Sequence, residues 1–334
     1  MNVHVSSLDV WTPTIQGEVR RALPAEWTLR FAASYDPAEQ AALASAADVI
    51  LAGWAQVTEA MMRAAPRLRM IQKWGIGVDR IDLDAARGLG IAVAVTAGAN
   101  AHPVAEHAVM LMLAVYRRLS LVDRAMREGR WLFAEMRERC LQIRHKTVGL
   151  VGFGNIGRAV ARKLAGFEAT ILYADPVAAS VEVERALGVT RVRLDELLAR
   201  SDIVSLHLPG GGANRHLIDA AALARMRTGA VLVNTARGDI VDEAALVEAL
   251  RSGALMGAGL DVYEPEPPEK GAALVGFDQV VLTPHTAGSV LDNVAAVARH
   301  AFGNIEKVLR GQALAAADLV VAPPAARAAS EGKP

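Results

Sequence analysis

Thr147-Val148-Gly149-Leu150-Val151-Gly152-Phe153-Gly154-Asn155-Ile156-Gly157-Arg158 is the stretch that decides the fold. Val148, Leu150 and Val151 form a short apolar run suited to a buried strand. The run ends in Gly-x-Gly-x-x-Gly, and an Ala-rich helical pattern dotted with basic residues follows from Asn155 to Phe167. Gly152 permits a tight turn out of the strand, Gly154 lets the backbone approach a pyrophosphate, and Gly157 lets the helix pack closely on the strand. The N–H groups at that helix N-terminus then face the anion. Alone the motif is weak, because glycine clusters also close ordinary turns. Its context strengthens it. The next apolar run, Ala169 to Ala174, delivers Asp175 eighteen positions after Gly157, where a carboxylate meets an adenosine ribose diol. A carboxylate there repels a 2′-phosphate, so NAD is expected over NADP. The competing reading of Asp175 is a turn residue before Pro176.

Upstream, residues 2 to 97 alternate short apolar runs with helical Ala/Glu/Arg-rich segments. The runs are Val3 to Val5, Trp27 to Phe31, Asp48 to Trp54, Arg69 to Trp74 and Ile91 to Val95. This alternation predicts a parallel, doubly wound sheet. Ligands in such sheets bind beyond the carboxyl ends of strands. The turn Gly75-Ile76-Gly77 is therefore a candidate backbone cradle for a small anion, or else a plain tight turn. Residues 103 to 119 are apolar around most of a helix that opens with Pro103, so burial on several sides is expected. Residues 120 to 145 read as charged helix, with Trp131 and Phe133 as packing anchors.

Downstream, further strands are expected at Asp202 to Pro209, Gly229 to Gly238, Leu255 to Val262 and Val280 to His285. A final helix runs from about Gly288 to Leu309, and the Ala/Pro-rich tail from Ala315 is expected to be poorly ordered. The expected fold is α/β, with two doubly wound parallel-sheet domains. A Rossmann dinucleotide-binding domain over 100–286 is inserted in a flavodoxin-like substrate domain formed by 1–99 and 287–334. Hinges are expected near 98–102 and 286–289, with the domains closing over bound ligands.

Composition bounds the rest. The 334 residues are 52% hydrophobic, enough for two cores, and formal net charge is zero, which gives no sign of a nucleic-acid face. Cys140 is the one cysteine, which excludes an intramolecular disulfide and a cysteine-rich zinc site. No metal is expected. Without a signal-peptide pattern or an apolar run of about twenty residues, no membrane is involved and a cytoplasmic location is expected.

Three side chains carry candidate chemistry. Arg237, Glu266 and His285 each follow a strand's carboxyl end, the edge where a nicotinamide lies. Singly, each has a bland reading: a surface arginine, a solvated acid between prolines, a structural histidine. Together they suit hydride transfer to a 2-keto acid. A histidine can give the carbonyl oxygen its proton near neutral pH. A carboxylate beside it fixes the ring and favours its charged form. An arginine can grip the substrate carboxylate and polarise the ketone.

The segments Lys73 to Asp82, Thr147 to Gly157, Asn234-Thr235-Ala236-Arg237-Gly238, Asp261 to Pro267 and Thr283-Pro284-His285 resemble the D-isomer-specific 2-hydroxyacid dehydrogenase family, which includes phosphoglycerate dehydrogenase and glyoxylate/hydroxypyruvate reductase. The likeness runs from about Asp48 to Leu309. The resemblance implies that Arg237, Glu266 and His285 are catalytic, with Glu266 rather than Glu264 as the carboxylate. It implies substrate-carboxylate contacts from the backbone N–H groups of Ile76 and Gly77, with Arg237 and His285 also touching substrate. It implies cofactor contacts at Gly152, Gly154, Asn155, Ile156, Gly157, Asp175, Thr235, Ala236, Arg237, Asp261, His285 and Gly288. His207 and Pro209 would line the adenosine side, and Asp261 would reach the carboxamide. A homodimer formed through the cofactor domain is implied too, partly by the helix after residue 103.

Two departures stand out. Gly210-Gly211-Gly212-Ala213-Asn214 replaces the threonine- and acid-containing turn usual in the family, which would loosen the adenosine edge. No appended regulatory domain is expected. The sequence thus points to an NAD-dependent D-2-hydroxyacid dehydrogenase or 2-keto acid reductase acting on a small-molecule acid. The alternative is an NAD(H)-sensing, corepressor-like binding protein of the same fold.

Overall fold

The computed structural model describes residues 2–323. Its strands are β1 (Val3–Val10), β2 (Trp27–Ala32), β3 (Val49–Ala52), β4 (Met70–Lys73), β5 (Ala92–Ala94), β6 (Thr147–Val151), β7 (Thr170–Ala174), β8 (Val189–Arg191), β9 (Ile203–Leu206), β10 (Ala230–Asn234), β11 (Leu255–Leu260), β12 (Val280–Leu282) and β13 (Leu319–Val321). The chain divides into two compact units, bounded by Met1–Asn100 with Val290–Pro334, and by Ala101–Ser289.

In the first unit the strand order is β13-β5-β4-β3-β1-β2. Strands β1 to β5 pair in parallel in the flavodoxin-like order 2-1-3-4-5. Strands β3 and β5 are buried end to end, as expected of parallel strands covered on both faces. Asp9, in β1, is buried beside the point where the order reverses, and accepts N–H groups of Gly53, Trp54 and Ala55. The carboxyl edge of this sheet is aromatic. Trp11 lies 5.4 Å from Phe31 and 4.7 Å from Trp74, and the Arg80 guanidinium sits 3.9 Å over Trp54.

The expectation for the tail needs correction within 315–323. Leu319–Val321 forms β13, antiparallel to β5. Asp318 fastens it, accepting Ala97 N–H at 2.9 Å and facing His300 Nε2 at 2.9 Å. The rest of the expected loose tail, 324–334, lies outside the described residues. The last long helix also starts later than expected, at Val294, after a short 3-10 turn over Leu291–Asn293.

In the second unit the order is β12-β11-β10-β9-β6-β7-β8, all parallel, the doubly wound dinucleotide-binding pattern extended by one strand. The order reverses at β6, between β7 and β9, and the glycine motif sits at that strand's carboxyl end. The helix Ala101–Tyr116 is buried at ten of its sixteen residues, so it belongs to this unit's core. Strand β8 has no sequence signal of its own beyond Val189, being three residues long at the sheet edge. Among the described residues no helix is long and apolar enough to cross a membrane.

Candidate active site

Strand β6 is buried from Val148 onward and the helix Asn155–Leu164 follows it. Gly152 has φ +91°, and an added Cβ would lie 2.3 Å from the His207 carbonyl oxygen. A Cβ on Gly157 would meet the Gly152 carbonyl oxygen at 2.4 Å. Gly154, by contrast, has open space where its Cβ would be, and no side chain caps the helix there. The turn is thus closed on its inner side and open at the helix N-terminus, which is the shape a diphosphate needs. Asp175, past β7, accepts Phe153 N–H at 2.7 Å and Val177 N–H at 2.8 Å, one on each oxygen. Each oxygen keeps a lone pair for a ribose hydroxyl.

His207, past β9, has both ring nitrogens inaccessible to solvent and without a partner. Thr235 Oγ1, past β10, is buried and unpartnered too. Orphaned polar atoms on this edge fit a ligand that supplies partners, so the residues present suit a dinucleotide. Burial pushes the His207 ring from its ordinary 6.5 down to about 3. Between those values the unfolded chain takes up a proton that the folded chain refuses. This group therefore leaves stability intact above pH 6.5 and removes it as pH falls toward 3. In ligand-free protein, His207→Leu should lose melting temperature less steeply over that window; parallel pH profiles would refute this.

The glycine loop after Pro209 is tied down rather than loosened. Gly211 N–H donates to Asp239 at 2.6 Å, Asn214 Nδ2 donates to the Pro209 carbonyl at 3.0 Å, and Arg215 pairs with Glu264 at 2.7 Å.

On the other side of the switch point the candidate catalytic residues converge. His285 Nδ1 and Glu266 Oε2 are 2.9 Å apart, and Glu266 Oε1 accepts Tyr263 N–H at 3.0 Å. Burial pushes the Glu266 carboxyl up, but the His285 hydrogen bond and charge, the Tyr263 N–H and the Arg237 charge outweigh it and hold it below the usual 4.5. An ionised Glu266 accepts from Nδ1–H, so Nε2 is the ring position turned to other chemistry. His285 has φ +53°, uncommon outside glycine, and its N–H donates to the Asp261 carbonyl at 2.8 Å. Such conformations cluster where the surrounding structure over-determines them.

Arg237 begins the turn after β10. Asn234 shapes that turn, donating to the Arg237 carbonyl at 2.8 Å and accepting Ala236 N–H at 3.0 Å. Gly238 brings it against the acidic loop: a Cβ there would come within 2.1 Å of the Tyr263 carbonyl carbon. This close approach is why the Arg237 charge acts on Glu266. In the first unit, Gly75 N–H donates to Thr96 Oγ1 at 2.9 Å. The N–H groups of Ile76 and Gly77 donate to no other described residue.

Sequence reasoning passed over two residues here. Tyr263 Oη lies 3.0 Å from the Leu260 carbonyl and 2.9 Å from that of Thr283, bridging the loops that carry Glu266 and His285. Its position within the Asp261-to-Pro267 motif was an available signal. His107 lies 2.9 Å from Thr283 Oγ1, and a histidine within a mostly apolar helix was the corresponding signal. Asp261 is fully buried, accepting Thr283 Oγ1–H, Thr286 N–H and Ala287 N–H at 2.6, 2.9 and 2.9 Å. Among the described residues no group of three or more His, Cys, Asp or Glu could hold a metal ion.

Residues 109–287 match the family model described as D-isomer specific 2-hydroxyacid dehydrogenase, NAD binding domain. The chain is 41% identical over 239 residues to hydroxypyruvate reductase of Thermotoga maritima, covering 71% of this chain and 76% of that one. It is 39% identical over 241 residues to D-3-phosphoglycerate dehydrogenase of Archaeoglobus fulgidus, covering 72% of this chain but only 45% of that relative. It thus spans about half the length of the phosphoglycerate dehydrogenases it resembles. The holo structure of D-mandelate dehydrogenase from Rhodotorula graminis superposes with a TM-score of 0.84 at 29% identity, covering 96% of this chain and 98% of that one.

Proposed function

This chain belongs to the D-isomer specific 2-hydroxyacid dehydrogenase family, and from that membership we propose that it is an NAD-dependent 2-hydroxyacid dehydrogenase working as a 2-keto acid reductase or in reverse. The observation that carries the reading is the 2.9 Å contact of His285 with an ionised Glu266, with the Arg237 charge beside them at the carboxyl edge of the second sheet. The bound nicotinamide would supply or accept the hydride. His285 gives its Nε2 proton to the nascent alkoxide in reduction and takes it back in oxidation. Glu266 holds the ring by Nδ1 and offsets its charge. Arg237 grips the substrate carboxylate with a forked pair of donors, and Ile76 and Gly77 add backbone N–H groups.

For the cofactor, Gly152, Gly154, Asn155, Ile156 and Gly157 hold the pyrophosphate and Asp175 the ribose. His207 and Pro209 line the adenosine, and Thr235, Ala236, Asp261 and Gly288 the nicotinamide end. The aromatic edge of the first sheet, with Trp11, Phe31, Trp54 and Trp74, supports a substrate with an apolar side chain over a phosphorylated one.

The location is cytoplasmic, where a diffusible pool of NAD meets small organic acids. The second copy of a homodimer covers the segment 119–141, where Leu119, Met126, Trp131 and Phe133 are exposed, Trp131 by 73%. There a groove of about 940 Å³ also takes in Met136, Leu141 and several arginines. Aromatic, methionine and arginine side chains are the composition of interface cores. Light scattering should give twice the chain mass, and Trp131→Glu with Phe133→Glu should halve it; a monomeric wild type would refute the dimer.

The decisive experiment is NADH oxidation across glyoxylate, hydroxypyruvate, phenylpyruvate and 3-phosphohydroxypyruvate. Turnover is expected, highest with an apolar acid. Tight NADH binding with no turnover on any acid would overturn the enzyme reading.

A further inference from the structure

The helix Ala101–Tyr116 approaches β11 unusually closely, and the sequence on both sides explains it. Gly257 and Gly259 alternate along the strand face turned to the helix. A Cβ on Gly259 would fall 2.8 Å from Leu111 Cβ, and one on Gly257 2.8 Å from Val115 Cγ1. The helix positions are four apart and the strand positions two apart, so the elements run past one another in opposite senses. One step further along the same seam, His107 precedes Leu111 by four and Asp261 follows Gly259 by two. The seam is apolar and tight at 257 and 259, then ends in a histidine set against a buried acid.

The hydrogen positions at this end follow from the donors available. The Thr283 hydroxyl has one hydrogen and spends it on Asp261 Oδ1, at 2.6 Å. Asp261 also accepts the Thr286 and Ala287 N–H groups at 2.9 Å, so the donors from 283, 286 and 287 all converge on its carboxylate. His107 Nε2 sits 2.9 Å from Thr283 Oγ1 and 3.5 Å from Asp261 Oδ1, with its side chain only 14% exposed. Thr283 Oγ1 can only accept from it, so Nε2 carries a hydrogen. Residues 283 to 287 are thereby tied to the helix through the His107 side chain. His285 lies in the middle of that tied segment.

We propose that His107 is a positioning residue: its Nε2–H holds Thr283 and Asp261, and through them the turn that presents His285 to the reacting carbonyl. The proposal rests on the dehydrogenase reading above for its effect on turnover, but not for its structural effect. A glutamine at 107 can place an N–H near the same spot, whereas a leucine fills the space and donates nothing.

The experiment compares His107→Leu, His107→Gln and Thr283→Val with wild type in the full chain. Steady-state kinetics on the best keto acid from the panel are measured beside hydrogen exchange of a peptide covering 283–288 in ligand-free protein. His107→Leu should lower kcat at least about tenfold with KM changed less than about twofold, as expected when a catalytic group is misplaced while the groups that bind substrate stay intact. His107→Gln should recover kcat to within about threefold. His107→Leu with Thr283→Val should be no worse than the weaker single variant, since both cut one network. Exchange at 283–288 should speed up at least about tenfold in the leucine variant and stay near wild type in the glutamine variant. If the leucine variant does not fold, the glutamine variant decides: near wild-type kcat and exchange support the donor role, and loss of both overturns it. Wild-type kcat in the leucine variant, or a glutamine variant as impaired as leucine, likewise overturns it. Should wild type itself turn over no keto acid, the dehydrogenase reading fails while the exchange series still decides the role of His107.

Discussion

His285→Ala is expected to lower turnover of the best keto acid about 100- to 10,000-fold, the contribution of a positioned general acid/base. NADH affinity should change far less, because the pyrophosphate and ribose contacts of a dinucleotide lie on the other side of the switch point. The prediction rests on one geometric fact, the 2.9 Å contact of Glu266 with Nδ1, and on the mechanism proposed above, which assigns proton transfer to Nε2. Turnover and single-turnover hydride transfer, followed by loss of NADH absorbance, check it. Wild-type turnover in the alanine variant would remove His285 from the mechanism and leave the left-handed turn at φ +53° without a chemical reason.

The second large effect separates two glycines of one motif. Gly152→Ala forces a side chain into φ +91°, a strain of about 1–3 kcal/mol, and onto the His207 carbonyl oxygen 2.3 Å away. Overpacking against backbone adds about 1–3 kcal/mol more. The melting temperature should fall by several degrees at least, and NADH binding should go with it. Gly154→Ala meets nothing within 4 Å, so the fold should be untouched. Its methyl group would stand where a pyrophosphate approaches, so NADH affinity alone should fall, by about tenfold or more. Calorimetry and NADH fluorescence titration on both variants distinguish the outcomes. Equal melting temperatures for Gly152→Ala and wild type, or undiminished NADH affinity in Gly154→Ala, would contradict this account of the turn.

The comparison of Glu264 with Glu266 shows where reading residues in sequence stops. Both acids precede proline within three positions, and only likeness to a family selected Glu266. In the folded chain Glu264 pairs with Arg215 on a half-exposed edge, while Glu266 is turned to His285 and shielded. Backbone path, not composition, separates a surface ion pair from a partner of the imidazole. His107 shows the same limit from the other direction. Its partner Thr283 lies 176 positions away, and nothing local to either residue announces the pairing.

By itself the sequence determined what depends on local pattern. Apolar runs of strand length between helical segments gave two parallel-dominated sheets, because a strand covered on both faces is largely apolar. The glycine spacing gave the dinucleotide turn, because Gly152 needs φ above zero and neither Gly152 nor Gly157 has room for a Cβ, while Gly154 leaves the helix N-terminus open. Residue chemistry gave a guanidinium, a carboxylate and an imidazole at strand ends. The tertiary structure alone decided what depends on distant partners. Leu319–Val321 is a strand only because the edge of β5 was open to receive it. The triple-glycine loop is tied down in part because Asp239, on another loop, accepts the Gly211 N–H. The turn bearing His285 is held by a helix far back in the chain. Each is a hydrogen bond or close approach between segments whose separation in sequence carries no periodic signal, so it comes into being only when the chain has folded.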